Sequence, residues 1–295
     1  MGERPSLPPN LALLISIIAV STASILIRWT DAPPLAIASY RMIISVAMLA
    51  PFFLRNNGIE KLRKQGKSQL LSLFAVGVVL AVHFASWITS LSLTSVASSV
   101  IFVHIDPIFV AIISHFFLGE KITRRTLMGI IVCFIGISII AMGDAGAGQG
   151  SLMGDVLALT GGVMLGLYIL GGRKYRKNLD LTTYVTPVYS VAAVSLILMS
   201  LVTGTRLVGF DGATYGMFFL IALIPMIFGH TLYNWALRYL SAPVVSLSLL
   251  GEPIGASILA FILLGETPNS FTVIGGVITL AGILVSAYKA GNTEK

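Results

Sequence analysis

Asp106-Pro107-Ile108, followed by Phe117-Leu118-Gly119-Glu120, returns later in the chain as Glu252-Pro253-Ile254, followed by Leu263-Leu264-Gly265-Glu266. Both matches fall at one offset, 146 residues, and the same offset carries Gly129 to Gly275 and Gly136 to Gly282. Four landmarks at a single spacing make the two halves copies of one unit. A glycine-rich connector, Gly143-Asp144-Ala145-Gly146-Ala147-Gly148-Gln149-Gly150, joins them, which predicts one repeat over 1–147 and a second over 148–295.

The composition around these landmarks sets the solvent. Of the 295 residues 56% are hydrophobic and 11% are charged, against roughly a quarter charged in a soluble domain. The apolar residues come in runs long enough to cross about 30 Å of hydrocarbon, which takes about 20 helical residues. Runs broken by charge, Gly and Pro predict ten spans near 10–28, 34–54, 69–90, 95–118, 126–143, 152–172, 182–203, 214–237, 242–264 and 270–288. The first run is read as a span and not a signal peptide, because Gly2-Glu3-Arg4 is barely positive and Arg28-Trp29 follows without a small-residue cleavage site. Five spans per copy is an odd number, so the second copy enters the membrane from the opposite side. The expected fold is therefore all-α and integral to the membrane, with ten transmembrane helices in two inverted five-helix repeats around a central cavity.

Lys and Arg give the orientation. With a cytoplasmic N-terminus, sixteen basic residues lie in inside segments and only Arg28 and Arg206 lie outside, while Arg41 falls within a span. Both termini are expected in the cytoplasm of a bacterial-type inner membrane. This bias also explains the net charge of +7, so no nucleic-acid partner is expected. The single cysteine, Cys133, sits in an apolar run and reads as a small buried hydrophobe.

Ionisable and polar groups inside a bilayer are costly and point to function. Asp106 and Glu252 each precede a proline whose missing N–H frees a backbone carbonyl one turn earlier. Helical spacing puts Asp106 on a stripe with Phe102, Ser99 and Ser95, and Glu252 on one with Ser248, Val245 and Ser241. His83 and Trp87 share a face of span three, and His230, Tyr233 and Asn234 a face of span eight. These groups suit a small zwitterion: donors and acceptors for its charged ends, and flat apolar walls for its side chain. The bland alternatives are prolyl kinks held by neutral carboxyls, interhelical hydrogen bonds and interfacial aromatic residues. Arg41 would hold a substrate carboxylate, pair with a buried acid or snorkel to the interface. His104 lies off the Asp106 stripe. Glu120 and Glu266 end their spans, where capping and loop contacts are expected.

Together the acid-Pro and Leu-Gly-Glu copies, Arg41 and the paired glycines resemble the drug/metabolite transporter superfamily, in the branch built from two EamA-type repeats. Overall likeness is greatest to the YddG-type exporters of aromatic and other neutral amino acids. The resemblance covers Leu11 to Tyr288 and implies a ten-helix basket that exports amino acids or similar metabolites by alternating access. Arg41 departs from it, having no basic counterpart in span seven. No Walker loop, HExxH, CxxC or GxSxG occurs, so a gradient-driven carrier without cofactor or metal is expected, and not an enzyme. A multidrug or other metabolite carrier is the alternative within transport. An intramembrane enzyme using His83, Asp106, His230 and Glu252, or a channel or scaffold, stands as the alternative of another class. Proton coupling, and a monomer or homodimer, are open on the sequence.

Overall fold

Hydrocarbon offers the backbone no hydrogen-bond partner, so a long apolar run closes its bonds internally as a helix. The computed structural model describes residues 7–118, 124–147, 152–240 and 242–287, and among these every regular element is a helix, with no strand. Seven helices are long and apolar enough to cross a bilayer: Pro9–Arg28, Pro34–Arg55, Lys67–Ser90, Leu152–Arg176, Leu181–Val202, Gly212–Ala236 and Val244–Leu264. At the other three expected spans the chain is helical over Val96–Val103 with Asp106–Leu118, over Arg124–Ala147 and over Ser270–Ala287. Their apolar stretches are shorter, Val96–Val110, Leu127–Gly143 and Ser270–Gly282. Glu120, residues 148–151 after the expected repeat boundary, and both charged tails lie outside the described residues.

Several helices are interrupted, each for a local reason. In Pro9–Arg28 the hydroxyls of Ser21 and Thr22 donate to the carbonyls of Ile17 (2.8 Å) and Ala19 (2.7 Å), and the α-helix breaks at Thr22. Pro107 and Pro253 have no N–H for the carbonyls of Val103 and Leu249, so the helix stops and restarts at Asp106 in one case and at Gly251 in the other. Each proline then sits in a first helical turn, where a missing donor is tolerated. These breaks correct the expected stripes: 3.6-residue spacing does not carry from Ser95, Ser99 and Phe102 across to Asp106, nor from Val245 and Ser248 across to Glu252. Pro225 lies within a π-helical segment, Ala222–Thr231, that holds His230.

Glycines let the helices approach closely. A Cβ on Gly162 would lie 2.5 Å from the Val103 carbonyl, and one on Gly229 would lie 2.5 Å from Val20 Cγ1. Helices 124–147 and 270–287 nearly touch: a Cβ on Gly136 would stand 2.6 Å from the Gly275 carbonyl, and one on Gly282 2.8 Å from the Gly129 carbonyl. Outward faces keep large apolar side chains exposed, among them Ile18, Leu198, Phe261, Ile262 and Val277. Such a belt is what hydrocarbon, and not water, would cover.

The connections gather at two ends. At one end Arg28 Nη2 donates to the Thr94 carbonyl (2.9 Å) and pairs with Glu266 (3.2 Å), whose other oxygen accepts from Val96 N (3.0 Å). Glu266 thus makes the capping and loop contacts expected of it. At the other end Lys61 pairs with Asp180 (2.8 Å), Asn56 Nδ2 donates to Thr182 Oγ1 (3.3 Å), and Arg176 Nε donates to the Asn234 carbonyl (3.0 Å).

Asp180 also caps the helix Leu181–Val202, accepting from Thr183 N at 3.0 Å. Partial burial works to raise its pKa, but hydrogen bonds from Lys61, Thr183 and Thr182 outweigh it and hold the carboxyl below the usual range. A depressed pKa contributes stability above the unfolded value, near 4, and loses it as the pH falls through the folded one. Asp180→Ala should therefore cost about 0.5–2 kcal/mol at neutral pH. Thermal unfolding of the pair from pH 7 to pH 3 should show the difference shrinking below about pH 4; a gap independent of pH would remove the carboxylate from the account.

Candidate functional site

The buried polar groups of the two halves meet around a small central cavity of about 10 Å³, room for about one water. Arg41, His83, Trp87 and His104 line it from the first half, and His230, Tyr233 and Glu252 from the second. Val20, Ala23, Val103, Leu165 and Leu249 complete the wall. All seven polar or aromatic groups are nearly fully buried.

His83 Nδ1 lies 2.9 Å from the Gly161 carbonyl. A carbonyl only accepts, so Nδ1 carries the proton and Nε2 is left to the neighbouring groups. The imidazole stacks on Trp87, with rings 6.0 Å apart and 9° from parallel, and stands 6.0 Å from the His230 ring. Tyr233 OH meets His230 Nδ1 at 2.6 Å. Tyr168, from the helix Leu152–Arg176, joins this aromatic group 6.3 Å from both His230 and Tyr233, and its hydroxyl accepts from Asn234 Nδ2 at 2.8 Å.

The acids reach across between halves. Glu252 lies 3.2 Å from His104 Nε2, within ion-pair reach but off the line of a good hydrogen bond. His104 Nδ1 faces the Val100 carbonyl at 2.8 Å and must donate to it, so Nε2 is where this imidazole gains or loses a proton. Asp106 is bonded by Ser246 Oγ, and its other oxygen has no partner. Arg41 lies with its guanidinium 4.2 Å from the centre of the Phe84 ring.

Of the residues expected from sequence, Arg41, His83, Trp87, His230, Tyr233 and Glu252 come together on this cavity. Ser99, Phe102, Asp106, Asn234 and Ser248 do not line it. Ser99 bonds Ser90 at 2.7 Å, Phe102 packs with Ile101, Ile105 and Cys133, and Ser248 bonds the Val244 carbonyl at 2.8 Å. Asp106 and Asn234 are fully buried just behind the wall, bonded to Ser246 and to Tyr168 and the His230 carbonyl. His104 is the residue that sequence reasoning placed off the site; the helix break between Val103 and Asp106 turns it onto the cavity. Among the described residues no three of His, Cys, Asp and Glu converge as metal ligands.

A second, larger cavity of about 460 Å³ lies at the Arg28 end. Polar groups from both halves line it, including Arg28, Ser92, Ser95, Glu266, Asn269 and Thr272. No single-sequence signal pairs Arg28 with Glu266, which come from opposite halves.

Comparison with known proteins gives one consistent result. A family model described as the EamA-like transporter family matches residues 7–142 and 152–288. The chain is 26% identical over 282 residues to an uncharacterized transporter of Archaeoglobus fulgidus, covering 95% of this chain and 96% of that protein. It is also 26% identical over 269 residues to the uncharacterized transporter YyaM of Bacillus subtilis, covering 86% of this chain and 84% of the relative. A solved crystal structure superposes with a TM-score of 0.66 over 97% of this chain and 99% of its own, at 18% identity, which speaks for the fold alone.

Proposed function

The chain belongs to the EamA-like transporter family, a family of multi-pass membrane proteins, and we propose from that premise that it is a secondary transporter exporting small neutral metabolites, amino acids above all, by alternating access. Ten spans in two inverted repeats, with both termini cytoplasmic, form its frame. Glycine contacts support the inversion. By sequence offset Gly129 corresponds to Gly275 and Gly136 to Gly282, and Gly136 contacts Gly275 while Gly282 contacts Gly129. Contacts that exchange in this way mark a two-fold axis. Their antiparallel order supports an axis across the helices, hence in the membrane plane. A similar exchange, one residue out of register, runs through the core, where His83 bonds the Gly161 carbonyl and Ser16 bonds the Gly229 carbonyl at 2.8 Å: 83 and 229 are 146 apart, 16 and 161 are 145 apart.

The observation that carries the functional reading is the central cavity, whose polar wall both halves build. Inverted-repeat carriers bind substrate near the midplane at the repeat interface, so that two similar gates can face opposite sides in turn. Trp87 supplies a flat apolar wall, and His83 and His230 supply hydrogen bonds to a small zwitterion. The titratable Nε2 of His104 beside Glu252 supports coupling to a proton gradient.

Counterflow into proteoliposomes against a panel of labelled amino acids tests this reading. Trp87→Ala and His83→Ala should each reduce flux at least about tenfold at equal amounts of folded protein. Asp106→Asn or Glu252→Gln should alter the pH dependence of flux if either carboxyl carries the proton. Unchanged flux in all four variants would place the site elsewhere.

A further inference from the structure

We propose that Arg41 is the receptor for a substrate carboxylate, so that this protein carries small organic acids or zwitterions and excludes plain cations. The inference rests on the reading of the central cavity as the substrate site.

Arg41 is the only basic residue expected within a span, and none of its surface is exposed. A guanidinium keeps its charge in proteins and presents five N–H donors with no acceptor. The protein meets few of them. Nη2 has one long contact, 3.5 Å to the Pro225 carbonyl in the π-helical segment, and Nε and Nη1 have no hydrogen-bond partner. Among the described residues Arg41 makes no ion pair: Glu252, the one acid on the cavity wall, lies within reach of His104 instead. The Trp87 ring stands 5.9 Å from the guanidinium, and its Nε1 also lacks a partner. Three unmet donors, Arg41 Nε and Nη1 and Trp87 Nε1, thus belong to this wall, beside the unbonded His104 Nε2.

A buried guanidinium with most of its donors unbonded is strongly unfavourable, and the fold gains nothing from leaving them so. A carboxylate entering the cavity answers both needs, because its two oxygens match the guanidinium fork and leave lone pairs for Trp87 Nε1. A ligand bearing only an amine meets like charge where screening by water is weak. Trp87, on the same wall with its ring 5.9 Å from the guanidinium, provides apolar surface for the rest of the molecule.

Probes that share one ring and differ in the head group test the proposal on full-length protein in detergent, by tryptophan fluorescence and thermal shift. 3-Phenylpropanoate and phenylalanine should bind, whereas phenylalaninamide and phenethylamine should bind at least about tenfold more weakly. Arg41→Gln should abolish that preference and weaken the carboxylate probes at least about tenfold, while the ligand-free variant melts at a higher temperature than the parent, because a buried charge with most of its donors unbonded has been removed. A structural arginine would instead lower the melting temperature when lost. Arg41→Lys, which keeps the charge and loses the fork, should retain the head-group preference at reduced affinity. If Arg41→Gln fails to fold, the head-group comparison in the parent and in Arg41→Lys still decides. Equal binding of acid, amide and amine, undiminished carboxylate binding in Arg41→Gln, or no carboxylate binding at all would overturn the assignment. Carboxylate binding that depends on Arg41 without amino-acid flux would leave Arg41 standing and remove the transport reading; flux that accepts amides equally would do the reverse.

Discussion

Gly136→Ala is expected to destabilise the protein by about 1–3 kcal/mol, the range for forcing a methyl into a filled contact, and Gly136→Leu by more. The new Cβ would stand 2.3 Å from Thr279 Oγ1 and 2.6 Å from the backbone of both Gly275 and Thr279. Backbone cannot rotate out of the way as a side chain can, so helices 124–147 and 270–287 must separate. In lipid that separation is costly, because close packing, and not water exclusion, holds membrane helices together. Gly216 is the control: it is helical, exposed and has nothing within 4 Å of a built Cβ. Gly216→Ala should be neutral or stabilising by up to about 1 kcal/mol, from propensity alone. Gly136→Ala combined with Gly275→Ala should cost less than the two singles together, since both act on one contact and the first opens space for the second. Unfolding in mixed micelles measures all of them, and a Gly136→Ala protein as stable as Gly216→Ala would mean that the helices do not meet through these glycines.

The same contact shows which parts of the fold are legible in sequence. Hydropathy acts over about 20 residues at a time, so the apolar runs declare the helices whatever their packing. Gly129, Gly136, Gly275 and Gly282 are legible as a repeat because one offset links them; that Gly136 would meet Gly275 and not Gly282 is a property of antiparallel packing that no local pattern contains. The site is legible in part. His83 and Trp87 lie in one unbroken α-helix, and His230 and Tyr233 lie across the junction of the π-helical segment Ala222–Thr231 with the α-helix after it, where the chain stays helical; both pairs reach the cavity. Asp106 lies beside Pro107 where one helix restarts, and Ser248 ends the helix before the restart at Gly251, so a stripe drawn on one side of either break says nothing of the other. His104 is lost to the reading for that reason. Tyr168 is lost for another: nothing in the sequence of its helix separates a tyrosine facing His230 from one facing a loop.

His104→Leu and Glu252→Leu should each destabilise the protein by about 3–5 kcal/mol, the cost of removing one member of a buried charged pair, and the double variant should cost clearly less than their sum. His104 and Glu252 come from opposite halves, both nearly fully buried, with Nε2 and the carboxylate 3.2 Å apart. Whichever of the two is lost, the other is left in low dielectric without its partner; when both are lost, apolar side chains fill the gap and no unpaired group remains. The two singles should not be equal. Leucine at 104 leaves Glu252 on the same cavity wall as Arg41, whose Nε and Nη1 have no partner, and the carboxylate gains a second cation to turn to. Leucine at 252 removes the one acid on that wall among the described residues, leaving Arg41 and His104 there without it. Glu252→Leu should therefore be the more damaging, and adding Arg41→Gln to it should recover part of the loss. A double-mutant cycle by unfolding in mixed micelles separates these contributions. Strict additivity of His104→Leu and Glu252→Leu would show that the pair does not join the two halves, and equal single effects with no recovery by Arg41→Gln would show that Arg41 does not sense the acid across the cavity.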